Sequence, residues 1–275
     1  MFGGHHNPQC RLNDTWFLNC KDYEWRRVGK DPDNYTNAAS TIGAPDPRAN
    51  SGACLFNGKI YLFGGHGGLS YARVSFNDLF TFDIESETWE KLLPVNPAPD
   101  PRGGHSLFVG NDKVYIYGGW NQEMQFNNIL IYDLDTREWS DPDIFNEVPR
   151  WNHSCVLVEA IPTWKFFIFG GEQAEYNEGS ARAFGQYVNT SSFLDLGTMQ
   201  WTKFASDPSL FPNMPEPREY CAMTYTGLMQ TESKDRRLIV FGGWNNSWSS
   251  DLYSLNVAKI VGPSYAIISS DPVCG

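Results

Sequence analysis

Val114-Tyr115-Ile116-Tyr117-Gly118-Gly119-Trp120 decides how the rest of the chain is read, because the same run returns four more times in altered form. Met1-Phe2-Gly3-Gly4, Tyr61-Leu62-Phe63-Gly64-Gly65, Phe167-Ile168-Phe169-Gly170-Gly171 and Ile239-Val240-Phe241-Gly242-Gly243 share its logic. Aromatic and β-branched residues run into a glycine pair and the pattern then breaks. That is a buried strand ending where the backbone turns sharply or lies against a neighbour, which glycine alone tolerates. The second glycines fall at positions 4, 65, 119, 171 and 243, so the chain repeats in steps of 61, 54, 52 and 72 residues.

Other marks keep step with the glycines. Trp25, Trp89, Trp139 and Trp201 follow the first four pairs, and six positions before each stands Asn19, Asp83, Asp133 or Asp195. Turn-forming residues separate them, as in Glu85-Ser86-Glu87-Thr88. A short apolar strand, a tight turn and a Trp-bearing strand therefore read as a hairpin. Ahead of four of the glycine pairs stands Pro-Arg, at Pro47-Arg48, Pro101-Arg102, Pro149-Arg150 and Pro217-Arg218; in two cases His then Ser follow, at His105-Ser106 and His153-Ser154.

Taken together these marks resemble the kelch repeat family. The resemblance implies an all-β fold, a kelch-type β-propeller with five recognisable four-stranded blades, the first and last incomplete. It further implies that the blades form part of a six- or seven-bladed ring. The residues alone point the same way: many short strands, no helical periodicity and a fixed long repeat. Gly64, Gly65, Gly118, Gly119, Gly170, Gly171, Gly242 and Gly243, with Trp25, Trp89, Trp139 and Trp201, are the structural residues of the repeat.

Composition narrows the function. Twenty-one Lys and Arg against 32 Asp and Glu give a net charge of −11, with no basic run. This disfavours nucleic acid, whose binding needs clustered cations, and offers nothing to anionic lipid. No apolar run is long enough to span a membrane. The start lacks the basic flank and apolar core of a signal peptide. Six cysteines occur without a Cys-x-x-Cys pair, which suits a reducing, cytoplasmic setting.

The ends lack complementary pieces. No apolar strand precedes Phe2, and no Trp stands six positions after Asn256. The expectation is a kelch propeller over residues 1–260 that is a fragment or has ring-closing repeats upstream. Residues 261–275 are expected to be a linker or the start of an IPT/TIG-like domain, which resembles the arrangement of large ciliary and protist kelch proteins.

The segments after each glycine pair are the candidate binding surface, read as loops on a rigid frame. They carry His66, Tyr71 and Arg73; Trp120 and Gln125; Glu172, Tyr176 and Arg182; and Trp244 and Trp248. Aromatic and Arg side chains on such segments are the material of protein interfaces, although a Trp there can equally plug the channel mouth. The four Pro-Arg arginines are placed in a ring around the central opening, with salt bridges from repeat to repeat as their structural role. His5 and His66 follow Gly-Gly directly in successive repeats and are weak metal candidates.

No Ser-His-Asp grouping, phosphate-binding glycine loop or nucleophile elbow occurs, so neither a cofactor nor a catalytic residue is expected. The reading is a non-enzymatic protein-interaction propeller in a larger intracellular assembly, most specifically a cytoskeletal scaffold of the cilium or flagellar axoneme. Two alternatives stay open: a kelch-type ubiquitin-ligase substrate adaptor, and a metal-dependent enzyme at the channel mouth.

Overall fold

A computed structural model describes residues 1–7, 10–29, 43–69, 72–146, 148–160, 163–175, 184–203, 214–226 and 236–256. The expected IPT/TIG-like start at 261–275 lies outside them, as do Tyr71, Tyr176 and Arg182. Everything described is strand, turn or irregular apart from one residue of 3₁₀ turn, and none of it is a helix able to cross a membrane.

In chain order, the first sheet holds β1 (Phe2–Asn7), β2 (Cys10–Leu18) and β3 (Trp25–Arg27). The second begins with β4 (Gly52–Phe56) and β5 (Lys59–Phe63). A separate hairpin, β6 (His66–Leu69) and β7 (Ala72–Ser75), then intervenes before β8 (Leu79–Asp83) and β9 (Thr88–Leu92) complete it. The third sheet is β10 (Ser106–Gly110), β11 (Lys113–Tyr117), β12 (Ile129–Asp133) and β13 (Trp139–Ser140). The fourth has β14 (Ser154–Ala160) and β15 (Thr163–Phe169), a hairpin of β16 (Glu172–Glu175) and β17 (Phe184–Tyr187), then β18 (Ser191–Asp195) and β19 (Gln200–Lys203). The fifth is β20 (Ala222–Tyr225), β21 (Arg237–Trp244) and β22 (Trp248–Asn256). The inner three sheets thus follow the antiparallel order first, second, third, fourth strand, while the first and last have three strands each among the described residues.

The chain divides into two compact units. One comprises residues 1–124 and 129–142, the other 125–128 and 143–275. In the first unit the central strand of the second sheet is buried on both faces. Leu62 joins Phe80, Phe82 and Trp89 on one side, while Tyr61 and Phe63 join Val114, Ile116, Tyr132 and Trp139 on the other. Successive side chains of a strand point to opposite faces, so a sheet sandwiched between sheets reads as a continuous apolar run. In the second unit Phe167, Phe169 and Phe193 pack on Cys221, Tyr225, Leu238 and Val240 in the same way.

The repeat marks now have physical causes. The first glycine of a pair lies against the Arg carbonyl of the following blade. A Cβ on Gly3 would come 2.7 Å from the Arg48 oxygen, one on Gly64 2.5 Å from that of Arg102, and one on Gly170 2.5 Å from that of Arg218. The second glycine donates its N–H to that same carbonyl, Gly4 to Arg48 at 2.9 Å, Gly65 to Arg102 at 2.8 Å and Gly171 to Arg218 at 2.8 Å. Both glycines hold positive φ, 61° and 88° at Gly64 and Gly65. Close approach and left-handed backbone together exclude a side chain.

Each Trp pairs across its hairpin with the residue before the Asp or Asn: Leu18 with Trp25, Phe82 with Trp89, Tyr132 with Trp139 and Leu194 with Trp201. The acid caps the turn between them. Asp83 accepts from the Glu85 and Ser86 N–H groups, Asp133 from those of Asp135 and Thr136, and Asp195 from those of Gly197 and Thr198. Trp89 reaches the first sheet, with its Nε1–H donating to Thr15 Oγ1 at 3.0 Å and its ring 4.8 Å from that of Phe2. Trp139 reaches the second sheet, its ring 5.3 Å from that of Phe63. Trp89 and Trp139 are 6 % and 8 % exposed, whereas Trp25, on the outer strand of the first sheet, is 52 % exposed.

Candidate functional site

The Pro-Arg arginines are engaged inside their own blades and are not presented to solvent. All four are buried, and each guanidinium reaches back to the first-glycine carbonyl of its own blade: Arg48 to Gly64 at 3.0 Å, Arg102 to Gly118 at 3.3 Å, Arg150 to Gly170 at 3.0 Å and Arg218 to Gly242 at 3.0 Å. Arg48 makes a fork with Asp78 at 2.6 and 3.2 Å, Arg218 one with Asp251 at 2.6 and 3.0 Å, and Arg150 donates to the Thr190 carbonyl and hydroxyl. These pairs lie within a blade, not from repeat to repeat as expected. Asp78, Thr190 and Asp251 each stand five residues before Asp83, Asp195 and Asn256, a constant step the sequence reading left unused.

At the glycine end of each of the four sheets after the first, the residue after Gly-Gly meets the residue after Pro-Arg in an antiparallel bridge. The pairs are His66 with Ala49, Trp120 with Gly103, Glu172 with Trp151 and Trp244 with Glu219. The two segments therefore emerge together, and their variable side chains share one end of each blade. The post-glycine segments are not plain loops where they are described: residues 66–69 pair with 72–75 as β6–β7 and residues 172–175 with 184–187 as β16–β17, ladders that satisfy backbone groups a plain loop would leave open.

In the first unit this end is cationic. The rings of His5 and His66 meet edge-on with centroids 5.7 Å apart. Burial lowers His66 to about 3, and the charges of Arg73, His5 and Arg11 push in the same direction. His5 is lowered by burial and then by Arg11 and Arg73. Arg73 lies over Trp120, its guanidinium carbon 5.6 Å from the ring centroid. Two imidazoles beside two guanidinium groups are a poor cation site, which counts against the metal candidates His5 and His66. No group of three or more His, Cys, Asp and Glu side chains suited to a metal occurs among the described residues.

In the second unit the same end is acidic. Glu172 and Glu219 are hydrogen-bonded to each other; burial pushes Glu172 up to about 7, with the Glu219 charge and the shared bond adding to it. Glu219 is also raised, chiefly by burial, while the Asn152 amide donating at 2.7 Å works against the rise. Two like carboxyls this close each disfavour the charged form of the other. Gly185 in β17 leaves the space that the Glu172 carboxyl fills. Nearby, Trp244 donates its Nε1–H to Tyr187 Oη at 3.2 Å, and its ring lies 5.1 Å from that of Trp248, which is 72 % exposed. Gln125 is placed half-buried in the segment after Trp120. The sequence reading named Glu172 but not its partner Glu219, nor Arg11 beside His5.

Such blades, built on glycine pairs, buried Pro-Arg arginines and Trp hairpins, are those of a kelch repeat protein. A family model described as the KLHDC2/KLHL20/DRC7 Kelch-repeats domain matches residues 1–161 and 98–261, and the chain belongs to that family. It is similar to the "Dynein alpha chain, flagellar outer arm" of Chlamydomonas reinhardtii, 29 % identical over all of this chain but 6 % of that protein. It is 34 % identical to "Kelch domain-containing protein 3" of Bos taurus over 56 % of this chain and 41 % of that one. It is 27 % identical to "Host cell factor" of Drosophila melanogaster over 97 % of this chain and 18 % of that one. The chain spans less than half the length of each of these relatives. A protein-interaction propeller is the role this family supports.

Proposed function

We propose that the chain is a non-enzymatic docking propeller of the ciliary or flagellar axoneme, cytoplasmic, within a larger intracellular assembly, and that partners bind at the post-glycine ends of its blades. The observation that carries the docking role is the contrast between frame and ends. Gly-Gly, Pro-Arg and the Trp hairpin make the same contacts in blade after blade, while the residues after Gly-Gly change from His to Trp to Glu. Variation confined to one end of a repeated scaffold is how repeat proteins build individual binding surfaces. Similarity along the whole chain to a flagellar outer-arm dynein chain supports the compartment. Binding residues on this reading are His66, Arg73, Trp120, Gln125, Glu172, Trp244 and Trp248, with Tyr71, Tyr176 and Arg182 beside them in sequence.

Affinity capture from salt-extracted flagellar axonemes tests it. The chain retains discrete axonemal proteins, and Trp248→Ala loses them. A control at the opposite end of a blade, Tyr23→Ser in the exposed turn before β3, retains them. Equal capture by all three proteins, or none by the unaltered chain, would count against the reading.

A further inference from the structure

One repeated asparagine changes its use between sheets. Asn96 stands seven residues after Trp89, and its side chain clamps the next Trp strand. Its Nδ2 donates to the Trp139 carbonyl at 2.7 Å, and its Oδ1 accepts from the Trp139 N–H at 2.8 Å. Asn146 stands seven residues after Trp139, the same residue type at the same step. Here the side-chain donor goes unused. The Asn146 backbone is tied to Asn127, its N–H donating to the Asn127 carbonyl and its carbonyl accepting from Asn127 Nδ2, both at 2.8 Å, while Phe145 bridges Asn128. Asn146 is 6 % exposed, and its buried Nδ2 has no hydrogen-bond partner.

A cavity of about 480 Å³ opens beside it, within the second unit. It is lined by Ile144, Phe145 and Asn146 from this segment and by Ser192 and Trp201 from the β18–β19 hairpin. Ser192, 2 % exposed, brings a hydroxyl to the lining, and the exposed Phe145 carries the apolar lining out to the surface. A buried amide donor without a partner is costly unless something supplies one. One sheet earlier, the group that fills the step from the linker to the Trp strand is a carboxamide, planar, with an acceptor at one edge and donors at the other.

We propose that this cavity takes the carboxamide side chain of a Gln or Asn from an extended segment of a protein partner. Asn146 Nδ2 donates to the carboxamide oxygen, the carboxamide nitrogen meets the Ser192 hydroxyl, and Ile144, Phe145 and Trp201 cover the apolar residues beside it. A neutral amide suits the lining better than a charged group, because Asp143 and Lys203 both belong to it and offset one another. A protein segment suits it better than a small free amide, because the apolar lining continues past the cavity through Phe145. The site lies on the flank of the fourth sheet and is independent of the docking role proposed for the post-glycine ends.

The probe is a fluorescent peptide with Leu-Gln-Leu at its centre, followed by anisotropy with the unaltered chain, beside counterparts with Glu or Met in place of Gln. The Gln peptide is expected to bind roughly tenfold more tightly than either counterpart. Asn146→Leu should weaken it by roughly tenfold without lowering the denaturant midpoint, because the amide it deletes makes no bond. Asn96→Leu should do the opposite, lowering the midpoint by breaking two bonds and leaving peptide affinity unchanged. Phe145→Ser, at an exposed position, should keep the fold and weaken binding by roughly fivefold. No binding of the Gln peptide, equal binding of all three peptides, or full binding by Asn146→Leu and Phe145→Ser would overturn the proposal. A midpoint lowered by Asn146→Leu as far as by Asn96→Leu would place its amide in a closed clamp and overturn it too. Binding abolished by Trp248→Ala but spared by Asn146→Leu would move the peptide to the post-glycine ends, removing this site and leaving the docking role standing.

Discussion

His66 and Glu172 hold the same place in their blades, one residue past a glycine pair and bridged to the residue after Pro-Arg, yet their surroundings are opposite in charge. Around His66 gather His5, Arg11 and Arg73; against Glu172 lies Glu219, and burial raises both carboxyls. Beneath both, the backbone is alike: Gly65 and Gly171 donate to Arg102 and Arg218 at 2.8 Å in each case. The difference teaches where freedom lies in this architecture. Positions that touch the next blade cannot vary, because one carbonyl fills the space a side chain would need. Positions one residue further on face no such demand, and charge there is free to diverge.

The largest effects should come from breaking what the two regions share. Gly64→Val and Gly170→Val each thrust a Cβ into a neighbouring carbonyl at positive φ, and each should cost more than about 4 kcal/mol or abolish folding. A near-native denaturant midpoint for either variant would mean that the frame is not common to both units. Trp139→Ala should cost about 3–5 kcal/mol, since its ring is buried against the second sheet. Trp25→Ala, half exposed, should cost under about 1 kcal/mol, and equal costs in urea unfolding would refute the assigned packing. Asp78→Ala strands the buried Arg48 guanidinium and should cost about 3 kcal/mol, read in the same titration.

Acidity separates the regions more finely. His66 and His105 are both held near 3 by burial, His105 with its Nε2 accepting from the Gly52 N–H at 3.2 Å. Their folded values lie below the ordinary 6.5, so the stability they contribute is present above 6.5 and lost as pH falls from there toward 3. Glu172 is the reverse. Its folded value of about 7 exceeds the ordinary 4.5, so its contribution is full below 4.5 and fades as pH rises through about 7. Thermal transitions followed by circular dichroism should therefore decline on both sides of mildly acidic pH. Glu172→Gln should flatten the alkaline decline and leave the acid one, whereas an unchanged alkaline limb would show that the Glu172–Glu219 pair does not hold its proton. The smallest stability effect belongs to Trp248→Ala, within about 0.5 kcal/mol at its exposed position, with its consequence confined to partner capture.

Much of the frame was legible in the sequence because its causes are local and repeated. A glycine pair closing an aromatic strand and an acid six residues before Trp each describe a turn that neighbouring residues determine. The arginine partners lay in the five-residue step from Asp78 to Asp83 and from Asp251 to Asn256, but the expected salt bridges ran from repeat to repeat, whereas they form within a blade. The hairpins β6–β7 and β16–β17 were missed because Gly67-Gly68-Leu69 and its surroundings show no alternation of polar and apolar residues. The charge clusters were harder still. Arg73 acts on His5 from 68 positions away, and Glu172 meets Glu219 from 47, each through a neighbouring blade whose spacing no local pattern encodes.

The central claim, that partners meet the variable post-glycine ends and not the turns at the other end of the blades, is tested most directly by hydrogen–deuterium exchange on a captured axonemal complex. Protection is predicted at residues 4–7, 66–75, 120–125, 172–175 and 244–249. Protection instead at the Trp-hairpin turns, residues 19–24, 84–87, 134–138 and 196–199, with the post-glycine ends exchanging as in the free chain, would contradict it.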